Sequence, residues 1–227
     1  MQTIAETNSA SSLNADRIEP GKFNIIYADP PWRFKNWSMN ESAKRGEKWG
    51  RAHGRSPYDV MNTPDICALP VASLAARDSV LVMWATYPKL EDALEVIKAW
   101  GFEYKTVAFS WLKLNPSGQG FKMGLGFHSR GNVEPALLAT RGKGLRRVDN
   151  GVMQVIIGDD DSPDGGDCLI APVGEHSRKP AEARHRIERL YGDVPRVELF
   201  ARQRPASGWS IWGNQAPQGS DIILQAA

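Results

Sequence analysis

Short apolar runs recur along the chain between more polar segments. Residues 23–28 form such a run, rich in branched and aromatic side chains, and a second run lies at 79–85. Runs of this length are typical of strands that are buried on both faces of a parallel sheet. Further strands are predicted at 104–112, 134–140 and 196–200. The chain therefore carries core strands over most of its length.

Helical segments lie between these strands. Thr63 and Pro64 are typical of an N-cap followed by proline in the first turn, which predicts a helix to about residue 76. Residues 88–100 carry apolar side chains on one helical face, and another helix is predicted after Pro180. Alternating strands and helices imply right-handed crossovers. The predicted fold class is therefore α/β, with a mostly parallel sheet and helices on both faces.

The first predicted strand stops abruptly in Asp29, Pro30, Pro31 and Trp32. The two prolines fix φ, remove two backbone donors and hold Asp29 extended, so the segment is a rigid elbow. Open α/β sheets bind ligands at the carboxyl ends of their strands. The elbow would thus present an acid, carbonyl groups and an indole to a small molecule. On these four residues alone, an ordinary Pro-Pro turn with a solvated aspartate is equally compatible with the sequence.

Length and composition fit one globular domain. The chain has 227 residues, of which 41% are apolar and 24% charged. The absence of a long apolar stretch or a signal-peptide pattern predicts a cytoplasmic protein with no membrane contact. Cys67 and Cys168 are too few and too isolated for a disulfide framework or a zinc site, so no metal is expected. The predicted domain spans 22–216, between a flexible N-terminal tail at 1–21 and a C-terminal tail at 217–227.

The net charge of +2 does not by itself indicate a nucleic-acid partner, but the basic residues are clustered. Five of them surround Trp49 between residues 44 and 55. Four more lie between residues 141 and 147, including Arg146 and Arg147. Basic residues interleaved with aromatic side chains suit phosphate contacts and base stacking. We expect these loops to flank the elbow, and a solvated flexible loop is the alternative for the first.

Three separated blocks of the chain resemble the DPPW family of adenine-N6 methyltransferases, which includes the catalytic subunit of the mRNA adenosine methyltransferase. The elbow is the first block, residues 176–180 are the second, and residues 197–215 contain the third. The blocks occur in the family's order, and the resemblance extends over about residues 22–215. It implies a Rossmann-like, S-adenosylmethionine-dependent methyltransferase fold in which the catalytic motif precedes the main donor-binding block.

The resemblance also implies roles for residues at matching positions. The basic cluster at 141–147 adds two arginines to the substrate-binding residues. The catalytic set is Asp29, Pro30, Pro31 and Trp32. The set that binds S-adenosylmethionine is Asp29, Lys179, Arg202, Asn214 and Gln215. The substrate-binding set is Tyr58, Glu134 and Ser177, together with Arg146 and Arg147. In the segment between Arg202 and Trp209 the chain is one residue shorter than the mRNA enzyme, so contacts from residues 204 and 205 are left open.

The elbow suits methylation of the 6-amino group of adenine. This amine is a poor nucleophile because its lone pair is delocalised into the ring. Accepting its two hydrogens on the Asp29 carboxylate and the Pro30 carbonyl would leave the lone pair directed at the methyl donor. Trp32 and Tyr58 are expected to sandwich the base.

The expected substrate is DNA, with the target adenine flipped out or single-stranded because an adenine inside a duplex is unreachable. The same reaction on RNA is the main alternative. A catalytically inactive binding partner is a further alternative, less favoured because Asp29, Lys179 and Asn214 are intact. Whether the protein forms a homodimer is left open.

Overall fold

The structure is a computed structural model that describes residues 21–34, 59–115, 117, 119–124, 128–157, 179–203, 208–217, 219–222 and 224. Within these ranges seven strands form one sheet. They are β1 (Phe23–Ala28), β2 (Ala75–Trp84), β3 (Glu103–Leu112), β4 (Val133–Arg141), β5 (Val155–Ile157), β6 (Arg196–Leu199) and β7 (Trp209–Trp212). Their order across the sheet is β5-β3-β4-β2-β1-β6-β7.

Among the strands of the described ranges, only β4 runs against the others. It pairs antiparallel with β2 and with β3. All other neighbours pair in parallel: β1 with β2, β1 with β6, β6 with β7, and β3 with β5. The prediction of a mostly parallel sheet is confirmed. Because β4 is reversed, its first residues lie at the same edge of the sheet as the carboxyl ends of the other strands.

Helices cover both faces of the sheet. They are α1 (Thr63–Cys67), α2 (Val71–Leu74), α3 (Leu90–Ala99) and α4 (Glu182–Tyr191), with a 3₁₀ turn at Tyr87–Lys89. Ile26 of β1 lies in an apolar cluster with Ile97 of α3. Ile25 of the same strand lies in a second cluster with Ile187 of α4. Successive strand residues point to opposite faces, so α3 and α4 pack on opposite sides.

The helix predicted over 63–76 is replaced by two short helices and the start of β2. Leu69 precedes Pro70 and is therefore disfavoured from helical geometry, which ends α1. Ala75 pairs with Phe23, so β2 begins at Ala75 rather than at residue 79. Pairing with β1 overrides the local helical pattern. The sequence does not predict β5, because three residues carry no usable periodicity.

The segment at 219–222 packs on the domain, although the sequence predicts that the domain ends at residue 216. Ile222 is 2% exposed and belongs to the same apolar cluster as α3. The Asp221 carboxylate accepts from the Ile211 amide at 2.9 Å, and the Asp221 amide donates to the Ile211 carbonyl at 2.8 Å. This segment therefore belongs to the domain. No helix in the described ranges is long and apolar enough to cross a bilayer.

Replacing Ile222 with alanine should lower the free energy of unfolding by about 2–5 kcal/mol, the usual range for truncating a buried isoleucine. Val148→Ala is the control because Val148 is 67% exposed. It should change the free energy by no more than about 0.5 kcal/mol. Urea unfolding followed by circular dichroism measures both values. An Ile222 variant as stable as the wild type would restore the predicted domain boundary at residue 216.

Candidate active site

The elbow after β1 is fixed by backbone hydrogen bonds. The Trp32 amide donates to the Pro30 carbonyl at 2.9 Å, and the Met61 amide donates to the Pro31 carbonyl at 2.9 Å. Asp29 is therefore presented by a rigid backbone at the carboxyl end of an inner strand. Because a carbonyl oxygen has two lone pairs, Pro30 can still accept a second hydrogen bond.

The Trp32 indole is part of the core. It is 6% exposed, and its Nε1 donates to the Trp84 carbonyl at 3.2 Å. This contact ties the elbow to the end of β2. The predicted stacking of Trp32 on a base finds no open indole face in this packing, so we assign Trp32 to holding the elbow.

Four charged side chains form a continuous row at this edge of the sheet. Lys179 Nζ lies 2.8 Å from Asp29 Oδ1 and 3.0 Å from Glu134 Oε1. Lys113 Nζ lies 2.5 Å from Glu134 Oε2. The side chain of Glu134 is 7% exposed, whereas that of Asp29 is 21% exposed. The two middle members, Glu134 and Lys179, are therefore largely buried, the two ends, Lys113 and Asp29, are partly exposed, and the charges alternate in sign.

Strand direction and two indoles explain why these side chains meet. Lys113 follows β3, and Glu134 lies near the start of the reversed strand β4, so both reach the edge where Asp29 follows β1. The Lys179 ammonium lies 5.6 Å from the centre of the Trp84 ring at the end of β2. Lys113 is placed in the same way over Trp111, at 5.0 Å. The two indoles meet edge to face with centroids 6.3 Å apart, so each ammonium lies over one ring of an aromatic pair.

Burial and neighbouring charges shift the pKa values in this row. Burial raises the pKa of Asp29 above its ordinary value; Lys179 opposes that shift and Glu134 adds to it. Burial also acts to raise the pKa of Glu134, but Lys179 and Lys113 together hold it below its ordinary value. Burial disfavours the Lys179 ammonium, yet its two carboxylates raise its pKa overall. Asp29 is thus the member of the row for which burial outweighs the neighbouring charges.

Arg202, Asn214 and Gln215 lie on the other side of Asp29, after β6 and β7. Arg202 is half-buried, and its charge is among those that oppose the effect of burial on the pKa of Asp29. Asn214 and Gln215 are exposed in the turn after β7. The structure therefore brings the predicted donor-binding residues to the same edge as the elbow.

The backbone is strained and tightly packed where β6 and β7 end. Phe200 has a φ of 61°, which is uncommon for a residue with a side chain. A Cβ atom at Gly213 would lie 2.7 Å from the Ala201 carbonyl oxygen, so a side chain does not fit there. Such strain persists only where the surroundings enforce it, and it is frequent at binding sites.

The site lies where the connectivity of the sheet changes direction. From β1 the chain continues to β2 on one side, whereas β6 and β7 extend the sheet on the other. Ligands of open α/β sheets bind in the crevice outside the carboxyl ends of the strands at such a point. Asp29 lies at this crevice, with Glu134 on one side and Arg202 on the other.

Arg146 and Arg147 do not lie at this edge. They follow the end of β4, and the reversed direction of β4 puts them at the opposite edge of the sheet from Asp29. There burial raises the pKa of Tyr191 at the end of α4, and Arg147 opposes the shift. The expectation that these arginines flank the elbow is corrected accordingly. Tyr58, Ser177 and the basic segment 44–55 lie outside the described residues, so their roles stay predictions.

Lys113, Trp84 and Thr86 are candidate site residues that the sequence did not reveal. Each lies at or just after the carboxyl end of a predicted strand, and that position is the signal that could have identified them. The Thr86 hydroxyl is also buried without a hydrogen-bond partner among the described residues. Buried polar groups of this kind usually have a partner, so Thr86 marks a polar position near the crevice.

Glu198 is a second buried acid near the elbow. It lies beside Tyr27 of β1 in the sheet, and Arg184 Nη1 donates to its two carboxylate oxygens at 3.4 and 3.3 Å. Burial raises the pKa of Glu198 to about 7, while Arg184 opposes the shift and Asp29 reinforces it. Glu198 therefore titrates near neutral pH.

Comparisons with known proteins show the family to which the chain belongs. The family model described as MT-A70 matches residues 23–215. The type II methyltransferase M.MunI of Mycoplasma sp is 30% identical over 212 residues, which cover 86% of this chain and 78% of that protein.

Two eukaryotic relatives are matched over a smaller share of their length. The N6-methyladenosine RNA methyltransferase MTA1 of Pyricularia oryzae is 32% identical over 93% of this chain and 50% of its own. The human N(6)-adenine-specific methyltransferase METTL4 is 28% identical over 85% of this chain and 37% of its own. The chain thus spans half or less of these two relatives.

Glu198→Gln should remove a pH dependence of stability. An acid whose folded-state pKa is raised binds its proton more tightly in the folded state, so the wild type loses stability as pH rises from about 4.5 to about 7. The stability of the variant relative to that of the wild type should therefore rise between about pH 5 and about pH 8. Chemical unfolding at several pH values measures this, with the surface variant Glu103→Gln as control. If the difference in free energy of unfolding between the Glu198 variant and the wild type did not change with pH, the raised pKa of Glu198 would be contradicted.

Proposed function

We propose that this chain, which belongs to the MT-A70 family of N6-adenine methyltransferases, methylates the 6-amino group of adenine in DNA with S-adenosylmethionine as the donor. The observation that carries the proposal is the partly exposed Asp29 carboxylate, held by Lys179 at 2.8 Å beside the switch-point crevice. Orienting a weak amine nucleophile needs an acceptor that is in place before the reaction begins.

Asp29 and Pro30 supply two acceptors for the amine. Lys179 contacts Oδ1 of Asp29, and no other donor in the described ranges contacts this carboxylate, so Oδ2 can accept one amine hydrogen. The Pro30 carbonyl can accept the second hydrogen on its remaining lone pair. With both hydrogens held, the nitrogen lone pair is left for the methyl group. The elbow thus orients the amine without rearrangement.

The polar groups around the crevice fit S-adenosylmethionine. The Lys179 ammonium has three N–H donors, of which two face Asp29 and Glu134, and the third suits the donor's carboxylate. The exposed amides of Asn214 and Gln215 suit ribose hydroxyls. When bound, S-adenosylmethionine supplies a methyl group activated by the sulfonium charge.

Exposed aromatic side chains near the elbow suit the target base. Phe34 follows the elbow, and Tyr87 follows the end of β2; both are exposed. Stacking of a base on an aromatic ring is worth about 1–3 kcal/mol. These two rings take the stacking role that the buried Trp32 cannot fill. Tyr58 is a further stacking residue according to the family resemblance. Adenine must still leave a duplex to reach them.

DNA is proposed over RNA because of the pattern of relatives. The relative matched over 78% of its length is a type II methyltransferase, whereas the relative named an RNA methyltransferase is matched over 50%. RNA is the second candidate, supported by that same relative. The two substrates share the adenine base, so the elbow chemistry is the same for both.

Incubation with labelled S-adenosylmethionine and DNA or RNA strands of the same sequence tests the function. We expect labelled N6-methyladenine in DNA from the wild type. Asp29→Ala should reduce the rate by about 10²–10³, the usual effect of losing one preorganised polar partner. The exposed acid Asp65 provides the control, since Asp65→Ala should leave the rate unchanged.

Circular dichroism establishes that each variant is folded. A folded Asp29 variant with wild-type turnover would exclude Asp29 as the amine acceptor. Label in RNA alone would replace the proposed substrate by the second candidate. Label in neither substrate would oppose the proposed function.

Asn214→Ala should weaken S-adenosylmethionine binding by about threefold to tenfold, the value of one or two hydrogen bonds. Its affinity for a DNA strand should stay unchanged, because the donor and the nucleic acid use different residues. Asn150→Ala is the control, since Asn150 is exposed in the loop after β4. Calorimetry measures donor affinity, and fluorescence anisotropy measures DNA affinity. Equal donor affinity in all three proteins would remove Asn214 from the donor site.

A further inference from the structure

Lys113 is the one member of the row of four charges to which the family resemblance gives no role. It follows β3, and its Nζ lies 2.5 Å from Glu134 Oε2. The other oxygen of Glu134 lies 3.0 Å from Lys179, which in turn contacts Asp29. Lys113 therefore does not touch Asp29, but it is joined to it through two successive ion pairs.

We propose that Lys113 is a positioning residue for methyl transfer: by neutralising Glu134, it leaves Lys179 to hold Asp29 as a charged acceptor. This inference rests on the proposed function, because it assigns a role to Lys113 in the same site.

The charge balance of the row supports this role. Two carboxylates, Asp29 and Glu134, face two ammonium groups, Lys179 and Lys113, so the row is neutral. Without Lys113, both carboxylates would share one ammonium. A buried charge without a partner is strongly unfavourable, and such a group takes up a proton instead. The proton would go to Asp29 or to Glu134.

A proton on Asp29 would harm the elbow, because Asp29 would lose its charged acceptor oxygen. A proton on Glu134 would instead leave Lys179 to Asp29. Lys113 itself is 27% exposed and stands over Trp111 at 5.0 Å, so its removal leaves the buried packing in place. The expected effect is therefore electrostatic.

Several other titratable groups face the two carboxylates. Arg202 acts on Asp29 from the end of β6, and Glu198 and Tyr27 are coupled to it electrostatically from below the elbow. Because Glu198 titrates near neutral pH, its own change of charge would overlap with that of Asp29. The comparison of Lys113 variants with the wild type is therefore also made in proteins that carry Glu198→Gln. Among the residues that the structure describes, the groups that face the two carboxylates are Lys113, Lys179, Arg202, Glu198 and Tyr27.

The test uses Lys113→Met, Lys113→Arg and the control Lys105→Met. Lys105 pairs with Glu103 at 2.5 Å on the same strand but at its other end. Methyl transfer is measured from acidic to alkaline pH. In Lys113→Met the acid limb of the kcat profile should move up by about one pH unit, and activity should recover at alkaline pH. Lys113→Arg should restore the wild-type profile, and the control should not change it.

Carbon-detected NMR titration of the carboxyl groups gives a readout without activity. Asp29 should titrate at higher pH in Lys113→Met than in the wild type. Unshifted carboxyl titrations would overturn the inference, and so would a rate loss that is equal at every pH or is not restored by arginine. If the wild type methylates neither DNA nor RNA while the carboxyl titration still shifts, the electrostatic coupling stands and the proposed function falls.

Discussion

The structure depends on one buried ammonium group, that of Lys179, which holds Asp29 and Glu134 together. These carboxylates come from different strands, and without the cation between them their mutual repulsion would be large in a poorly solvated setting. The ammonium lies over the ring of Trp84. The backbone carbonyl of Trp84 also accepts a hydrogen bond from the Trp32 indole of the elbow. Acid, cation and elbow are therefore fixed by one connected set of contacts.

The reversed direction of β4 makes this meeting possible. A parallel β4 would place Glu134 at the opposite edge of the sheet from Asp29. Because β4 is antiparallel, an acid at its start reaches the edge where β1 and β3 end. The same reversal sends the basic turn after β4 away from the elbow. Topology thus brings the acid to the crevice and separates the arginines from it.

The site is divided between two sides of β1. On the β2, β4 and β3 side lie the paired charges, and on the β6 and β7 side lie Arg202, Asn214 and Gln215. Asp29 lies between these two groups of residues, so its carboxylate adjoins both of them. The model of the MT-A70 family, to which the chain belongs, covers the chain from the start of β1 to Gln215. The strand order explains why the elbow precedes the residues predicted to bind the donor in the sequence yet adjoins them in space.

The sequence by itself determined the α/β class, most strands and the Asp29 elbow, because apolar runs and prolines act locally on the backbone. It also indicated the donor-side residues through the family resemblance. Only the tertiary structure decided that Trp32 is buried, that Ile222 packs in the core, and that Lys113 joins the site while Arg146 and Arg147 do not. These outcomes depend on strand order and direction, which are set by packing between segments far apart in the chain. No local pattern records them.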